Sequence, residues 1–278
     1  MQQITSRIQE EARRLLSEGV VDMVIGYEEG WDPSTTTPCV VRDEAQVSRL
    51  IFDERCVYNL ARYLVGREGH LTSRFVPADA RPRVALVARP ATLRAVSVLI
   101  QEHQFGREEL VILGIVDGSA AGVEPDVEVG RIEPDDARRE GTRVRIGELE
   151  QMSASERWAF WREEFSKCIR CYACRQVCPF CYCEECIVEE NRPQWIGRSP
   201  LPRNNTSWNA IRAFHLVGRC VDCGECERVC PVDIPLSLIN VKMVEEVAAV
   251  FDYVAGADVD AAPALATFQV DDTNDFIR

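Results

Sequence analysis

Eleven of the thirteen cysteines lie between Cys168 and Cys230, and only Cys39 and Cys56 precede them. Eight fall into two runs of one pattern: Cys168-x2-Cys171-x2-Cys174-x3-Cys178-Pro179 and Cys220-x2-Cys223-x2-Cys226-x3-Cys230-Pro231. Three thiolates in a tight C-x2-C-x2-C loop can wrap three irons of one four-iron cubane. The same loop aims backbone N–H groups at the sulfurs and offsets their negative charge. The fourth cysteine lies too far along the chain to close its own set easily, so it reaches across to the other. That assigns Cys168, Cys171, Cys174 and Cys230 to a first 4Fe–4S cluster. Cys220, Cys223, Cys226 and Cys178 take a second. A zinc site would ask for paired C-x2-C steps with a longer gap, or mixed Cys/His ligands, and needs neither the third step nor the Cys-Pro ending.

The pattern is that of two-cluster bacterial ferredoxins. Crossed ligation places two clusters side by side, the arrangement for electron hopping; a purely structural pair is the alternative. Three further cysteines, Cys181, Cys183 and Cys186, sit in the string CPFCYCEEC. They hold zinc or a third cluster with a further ligand, or they are free thiols, and the sequence leaves both readings open. His215, Cys39 and Cys56 are candidate fourth ligands only if the fold brings them close. Between Cys186 and Cys220, Trp195, Trp208, Arg198 and Arg203 are candidates to pack over the clusters or meet a partner. No nucleophile or acid–base constellation accompanies His70, His103 and His215, and His103 falls at an expected helix end.

Elements that must position these ligands are legible upstream. Residues 1–18 carry an amphipathic helical pattern, with Ile4, Ile8, Ala12, Leu15 and Leu16 near helical spacing. Val20–Tyr27 reads as a buried strand and Trp31–Pro38 as a turn-rich loop. Asp43–Leu64 has a helical apolar stripe. Val84–Ala88, Ala91–Gln104 and Leu110–Val116 read as strand, helix and strand of a parallel βαβ unit, with Pro90 in the first helical turn. Glu124–Glu150 holds nine acidic and five basic residues and reads as a linker or surface excursion, with a short strand at Val144–Ile146. Ser153–Phe165 reads as a helix opened by a Ser153/Glu156 capping box. The expected architecture is α+β: an N-terminal α/β domain with a small parallel sheet (1–125), an acidic linker (126–152), a dicluster ferredoxin-like domain (153–250) and an acidic tail (251–278). In the tail, Phe268, Val270, Phe276 and Ile277 are apolar spots that suit a partner surface.

The formal charge of −13 disfavours nucleic acid and anionic membranes as partners. No stretch reaches the ~18 apolar residues that span a bilayer. The start of the chain lacks a signal-peptide core. Thiols clustered this way fit a reducing compartment and metal rather than disulfides, so the cytoplasm is the expected location.

The runs KCIRCYACRQVCPFCYCEEC (Lys167–Cys186) and GRCVDCGECERVCPVDIPL (Gly218–Leu236) resemble formate dehydrogenase beta subunits, relatives of deazaflavin-coenzyme-reducing hydrogenase beta subunits. The string VALVARPATLRAVSVLIQEHQFGREELVILGIVDG (Val84–Gly118) extends the similarity upstream, as do TTTPCVV and ERCVYNLARYL. The resemblance implies a subunit passing electrons between a catalytic dehydrogenase or hydrogenase and a heterodisulfide-reductase-like or flavin-containing partner. Many such relatives hold FAD and reduce a deazaflavin or nicotinamide. This chain departs from them at Arg89-Pro90-Ala91-Thr92 and at Gly114–Gly118. The expectation is therefore an electron wire with the substrate chemistry on other subunits. A flavin-containing subunit and a non-redox interaction module with structural clusters are the rivals.

Overall fold

The computed structural model describes residues 1–66, 69–71, 77, 80–119 and 122–264. Strands β1 (Met23–Glu29), β2 (Thr36–Val41), β3 (Val84–Ala88), β4 (Leu110–Val116) and β5 (Val127–Arg131) form one sheet in the order β2-β1-β3-β4-β5. β1 and β2 form an antiparallel hairpin. The expected loop Trp31–Pro38 thus ends in a strand. Asp32 closes the turn, accepting from the Ser34 amide at 2.7 Å. β3 and β4 are parallel to β1 and to each other, joined by helix α2 (Pro90–Gln101) as the βαβ pattern predicts. All five β3 residues are buried, as a strand covered on both faces requires. Helix α1 (Gln2–Ser17) buries Ile4, Ile8, Ala12 and Leu15 and packs against β5.

Two sequence expectations are corrected here. Asp43–Leu64 is not one helix but two short 3₁₀ turns, Glu44–Arg49 and Leu60–Tyr63. Asp43 captures the Ala45 amide at 2.9 Å, Asp53 the Arg55 amide at 2.9 Å and Asn59 the Ala61 amide at 3.2 Å. Such local side-chain bonds compete with a helical ladder. The supposed linker 126–152 contains β5 (Val127–Arg131), which extends the sheet beside β4, and helix α3 (Asp136–Gln151). Val144–Ile146 is therefore helical, not a strand. Only Thr142, Ile146 and Leu149 of α3 are buried. That narrow stripe is easily hidden in a charged sequence, yet Ile146 and Leu149 pack on Leu238 and Val241.

Five more helices follow among the described residues: α4 (Ala154–Ser166), α5 (Ala173–Gln176), α6 (Pro202–His215), α7 (Glu225–Arg228) and α8 (Leu236–Phe251). The capping box expected at Ser153 is formed: Ser153 Oγ accepts from the Glu156 amide, and the Ser153 amide donates to Glu156 at 2.8 Å. The main hydrophobic core does not stop at the sheet. It takes in Cys178, Phe180, Leu216, Val221 and Val247 alongside the strand residues. Past α8 the chain returns to α2: Gln101 donates to the Asp258 and Ala261 carbonyls at 2.8 and 2.7 Å. The first part of the acidic tail is thus held by its own chain. Phe268, Val270, Phe276 and Ile277 lie outside the described residues. No helix among the described residues is long and apolar enough to cross a membrane.

Candidate metal centre

Both cysteine motifs fold alike. In the first, Arg170 and Tyr172 have φ of 59° and 61°; in the second, Asp222 and Gly224 occupy the matching places at 51° and 75°. Left-handed residues beside right-handed ones gather backbone N–H groups into a concave, anion-accepting nest. A single helical turn follows in each, α5 and α7, closed by equivalent bonds from the fourth cysteine: Cys178 N to Arg175 O at 3.3 Å and Cys230 N to Glu227 O at 3.0 Å. The two turns pack on each other. Left-handed backbone at a non-glycine residue costs roughly 1–2 kcal/mol. Tyr172 is held there by an edge contact with Trp208 at 5.1 Å, and the Arg170 guanidinium lies over both rings. Trp208 thus packs over the first motif, whereas Trp195 is 80% exposed.

Seven of the eight motif cysteines fall in two packed groups that share Cys226. Cys178 lines one cavity with Cys220, Cys223 and Cys226, walled by Phe180 and Leu216. Cys230 instead packs with Cys168 and Cys174, and with Cys226, around Phe165, Ile234 and Leu236. Each fourth cysteine has moved toward the other motif. Asn240 Nδ2 donates to Cys226 Sγ and the Ile234 amide to Cys230 Sγ, both at 3.4 Å. Cys171 is exposed. Among the described residues no three His, Cys, Asp or Glu side chains converge on a single-ion site. A four-iron cubane holds its thiolates at separate corners, further apart than the ligands of one ion. The donors, the nests and the all-thiolate set suit that group, whose irons supply one-electron redox chemistry when bound.

Burial disfavours the thiolate form of these side chains. It pushes the thiols of Cys174 and Cys223 up to about 12 and raises those of Cys220 and Cys226. Cys178 and Cys181 share a hydrogen bond that raises Cys178 and lowers Cys181. Since irons bind thiolates, loading must displace these protons.

The three additional cysteines come together with one of their candidate ligands. Cys181, Cys183, Cys186 and His215 line a common cavity of about 250 Å³. Cys39 and Cys56 do not line it. They are buried in the core of the sheet region, where burial pushes their thiols up to about 12 and about 11.

Arginines dock the motifs on the sheet, and sequence reasoning missed them. Arg94 of α2 donates to the Val221 carbonyl at 2.9 Å. Arg138 of α3 donates to the Asp222 carboxylate and carbonyl, both at 2.8 Å. Arg62 donates to the Gln176 carbonyl at 2.6 Å. Arg219 pairs with Glu102, which also accepts from the Tyr182 hydroxyl at 2.9 Å. One signal was available: Arg94 is the single charge in the otherwise uncharged helix PATLRAVSVLIQ.

A small cleft of about 60 Å³ opens at the N-terminus of α2, beside Cys223 and lined by Asn59, Arg89 and Thr92. Thr92 Oγ1, Arg89 Nε and Arg94 Nε have no hydrogen-bond partner. A helix start of this kind suits a phosphate. The space falls far short of the ~300–1,000 Å³ typical of ligand pockets. As these residues stand, a whole flavin dinucleotide does not fit this cleft.

Residues 164–234 match the 4Fe-4S dicluster domain. This part of the chain is a dicluster domain, and it carries two 4Fe–4S clusters. The chain is also 36% identical over 103 residues to the F420-dependent formate dehydrogenase subunit beta of Methanocaldococcus jannaschii, covering 37% of this chain and 27% of that protein. It is 37% identical over 105 residues to the F420-dependent formate dehydrogenase 1 subunit beta of Methanococcus maripaludis, covering 38% and 26%. The match thus spans about a quarter of each relative's length.

Proposed function

We propose that the chain is an electron-transfer subunit of a cytoplasmic multi-subunit oxidoreductase, in the manner of formate dehydrogenase, hydrogenase or heterodisulfide-reductase-like complexes. Cluster one is held by Cys168, Cys171, Cys174 and Cys230. Cluster two is held by Cys220, Cys223, Cys226 and Cys178. Substrate conversion belongs to partner subunits. The observation that carries this reading is the place of Cys178 in the cavity of Cys220, Cys223 and Cys226. Cys174 and Cys178 are separated by three residues at the end of the single turn α5, yet serve different clusters. The clusters are therefore close neighbours, as electron hopping needs. Cys171, exposed at the edge of cluster one, is the natural point of electron exchange with a partner.

Metal, sulfide and flavin content of anaerobically purified protein tests this, together with EPR after dithionite reduction. About eight irons, no flavin and two interacting reduced clusters are expected. A stoichiometric flavin would move the function to hydride-to-electron conversion within this chain. Clusters that cannot be reversibly reduced would leave only a structural role. For Cys181, Cys183 and Cys186, zinc analysis of the same sample separates a metal site from free thiols.

A further inference from the structure

The buried face of α6 is polar where a core-facing stripe is ordinarily apolar. Asn205, Trp208, Asn209 and Arg212 recur at i, i+3, i+4 and i+7, and all four are buried. Asn205 donates to the Cys168 carbonyl at 2.7 Å and Asn209 to the Asn205 carbonyl at 2.9 Å. Arg212, only 4% exposed, donates to the Cys174 carbonyl at 2.9 Å. It also lines the cavity of Cys178, Cys220, Cys223 and Cys226. Its Nε has no partner, and among the described residues no carboxylate pairs with it.

A buried guanidinium without a counter-charge is strongly unfavourable. Its neighbours Arg175 and Arg219 are neutralised by Glu189 and Glu102. Arg170, equally buried, rests on the rings of Tyr172 and Trp208. What faces Arg212 is sulfur: Cys174 of cluster one, Cys178 and Cys226 of cluster two, and Cys181 beside them. A cubane with its thiolates is an anion, and reduction adds one more electron with no bond broken. A fixed cation in a low-dielectric interior stabilises the reduced state more than the oxidised one.

We propose that Arg212 sets the reduction potentials of both clusters by holding between them one positive charge that no carboxylate neutralises, an inference that rests on the two-cluster relay described above. Arg212 is a positioning and tuning residue; it is not itself a ligand. The charge raises both potentials together, so it makes the pair easier to reduce without favouring one cluster over the other.

The test is an EPR-monitored redox titration of the full-length chain as wild type, Arg212→Lys, Arg212→Gln and Arg212→Met, with iron counted in each. Gln and Met are expected to lower both potentials by about tenfold or more in the reduction equilibrium, 59 mV for a one-electron couple. Lys is expected to stay near wild type. If the neutral variants fail to load iron while Lys loads at wild-type potentials, the need for the charge is equally shown. Unchanged potentials in loaded Gln or Met variants overturn the proposal. So does a shift confined to one cluster, or a Lys variant that fails to load or shifts as far as Gln. A wild-type chain with far fewer than about eight irons would instead overturn the relay itself.

Discussion

At the scale of residues, the proposed crossing of the fourth cysteines makes a sharp prediction. Cys178→Ser is expected to remove the same EPR signal as Cys223→Ser, although Cys178 belongs to the first motif. Cys230→Ser should match Cys171→Ser. Each variant should retain about half of the iron, and signals that follow motif membership instead would show uncrossed ligation. Gly224 tests the nest. It sits at φ 75° with its nearest outside atom, Arg138 Nη1, 3.4 Å from where a Cβ would be. Space is adequate, so Gly224→Ala isolates the backbone term. A loss of about 1 kcal/mol is expected in chemical denaturation. His70 gives a pH dependence. Burial, aided by Arg42, lowers its pKa below the ordinary 6.5. The unfolded chain then binds more protons than the folded one. Its contribution to stability is complete above about pH 6.5 and is lost as the pH falls through the lower folded-state pKa. His70→Gln should flatten that slope in denaturation midpoints measured across this range.

At the scale of elements, the cluster region was legible where chemistry dictated spacing. It was obscure where tertiary packing decided the outcome. The thiolate pattern needs no context, and neither does the parallel unit β3-α2-β4 with its uninterrupted apolar runs. Helix α3 was hidden because its buried face is just Thr142, Ile146 and Leu149 amid charge. The segment after Asp43 carried a helical stripe, but the Asx-type bonds of Asp43, Asp53 and Asn59 decided its backbone. Arg138 shows what α3 is for, since it ties Asp222 to the helix through two bonds. Arg138→Leu should cost roughly 1.5–3 kcal/mol, the range for hydrogen bonds to charged groups. The loss should appear as faster bleaching of cluster two by chelator, with cluster one little affected. Equal bleaching of both would mean the tie is general packing.

At the scale of the molecule, the sheet and the dicluster region share one hydrophobic core and are joined by partly buried polar ties. Glu102 at the end of α2 receives both Arg219 and Tyr182. A double-mutant cycle of Glu102→Gln and Arg219→Met should show a coupling of about 0.5–3 kcal/mol, read from denaturation of the loaded protein. A coupling near zero would mark the pair as incidental. None of these cross-links was readable from the sequence, because each joins residues eighty or more positions apart. The arginines that clasp Val221 and Asp222 carry an expectation about biogenesis. The loop proposed to receive the second cubane is held by α2 and α3, so cluster two is expected to load only once the sheet is in place. The colour of cluster two then serves as a reporter on whether the N-terminal half has matured.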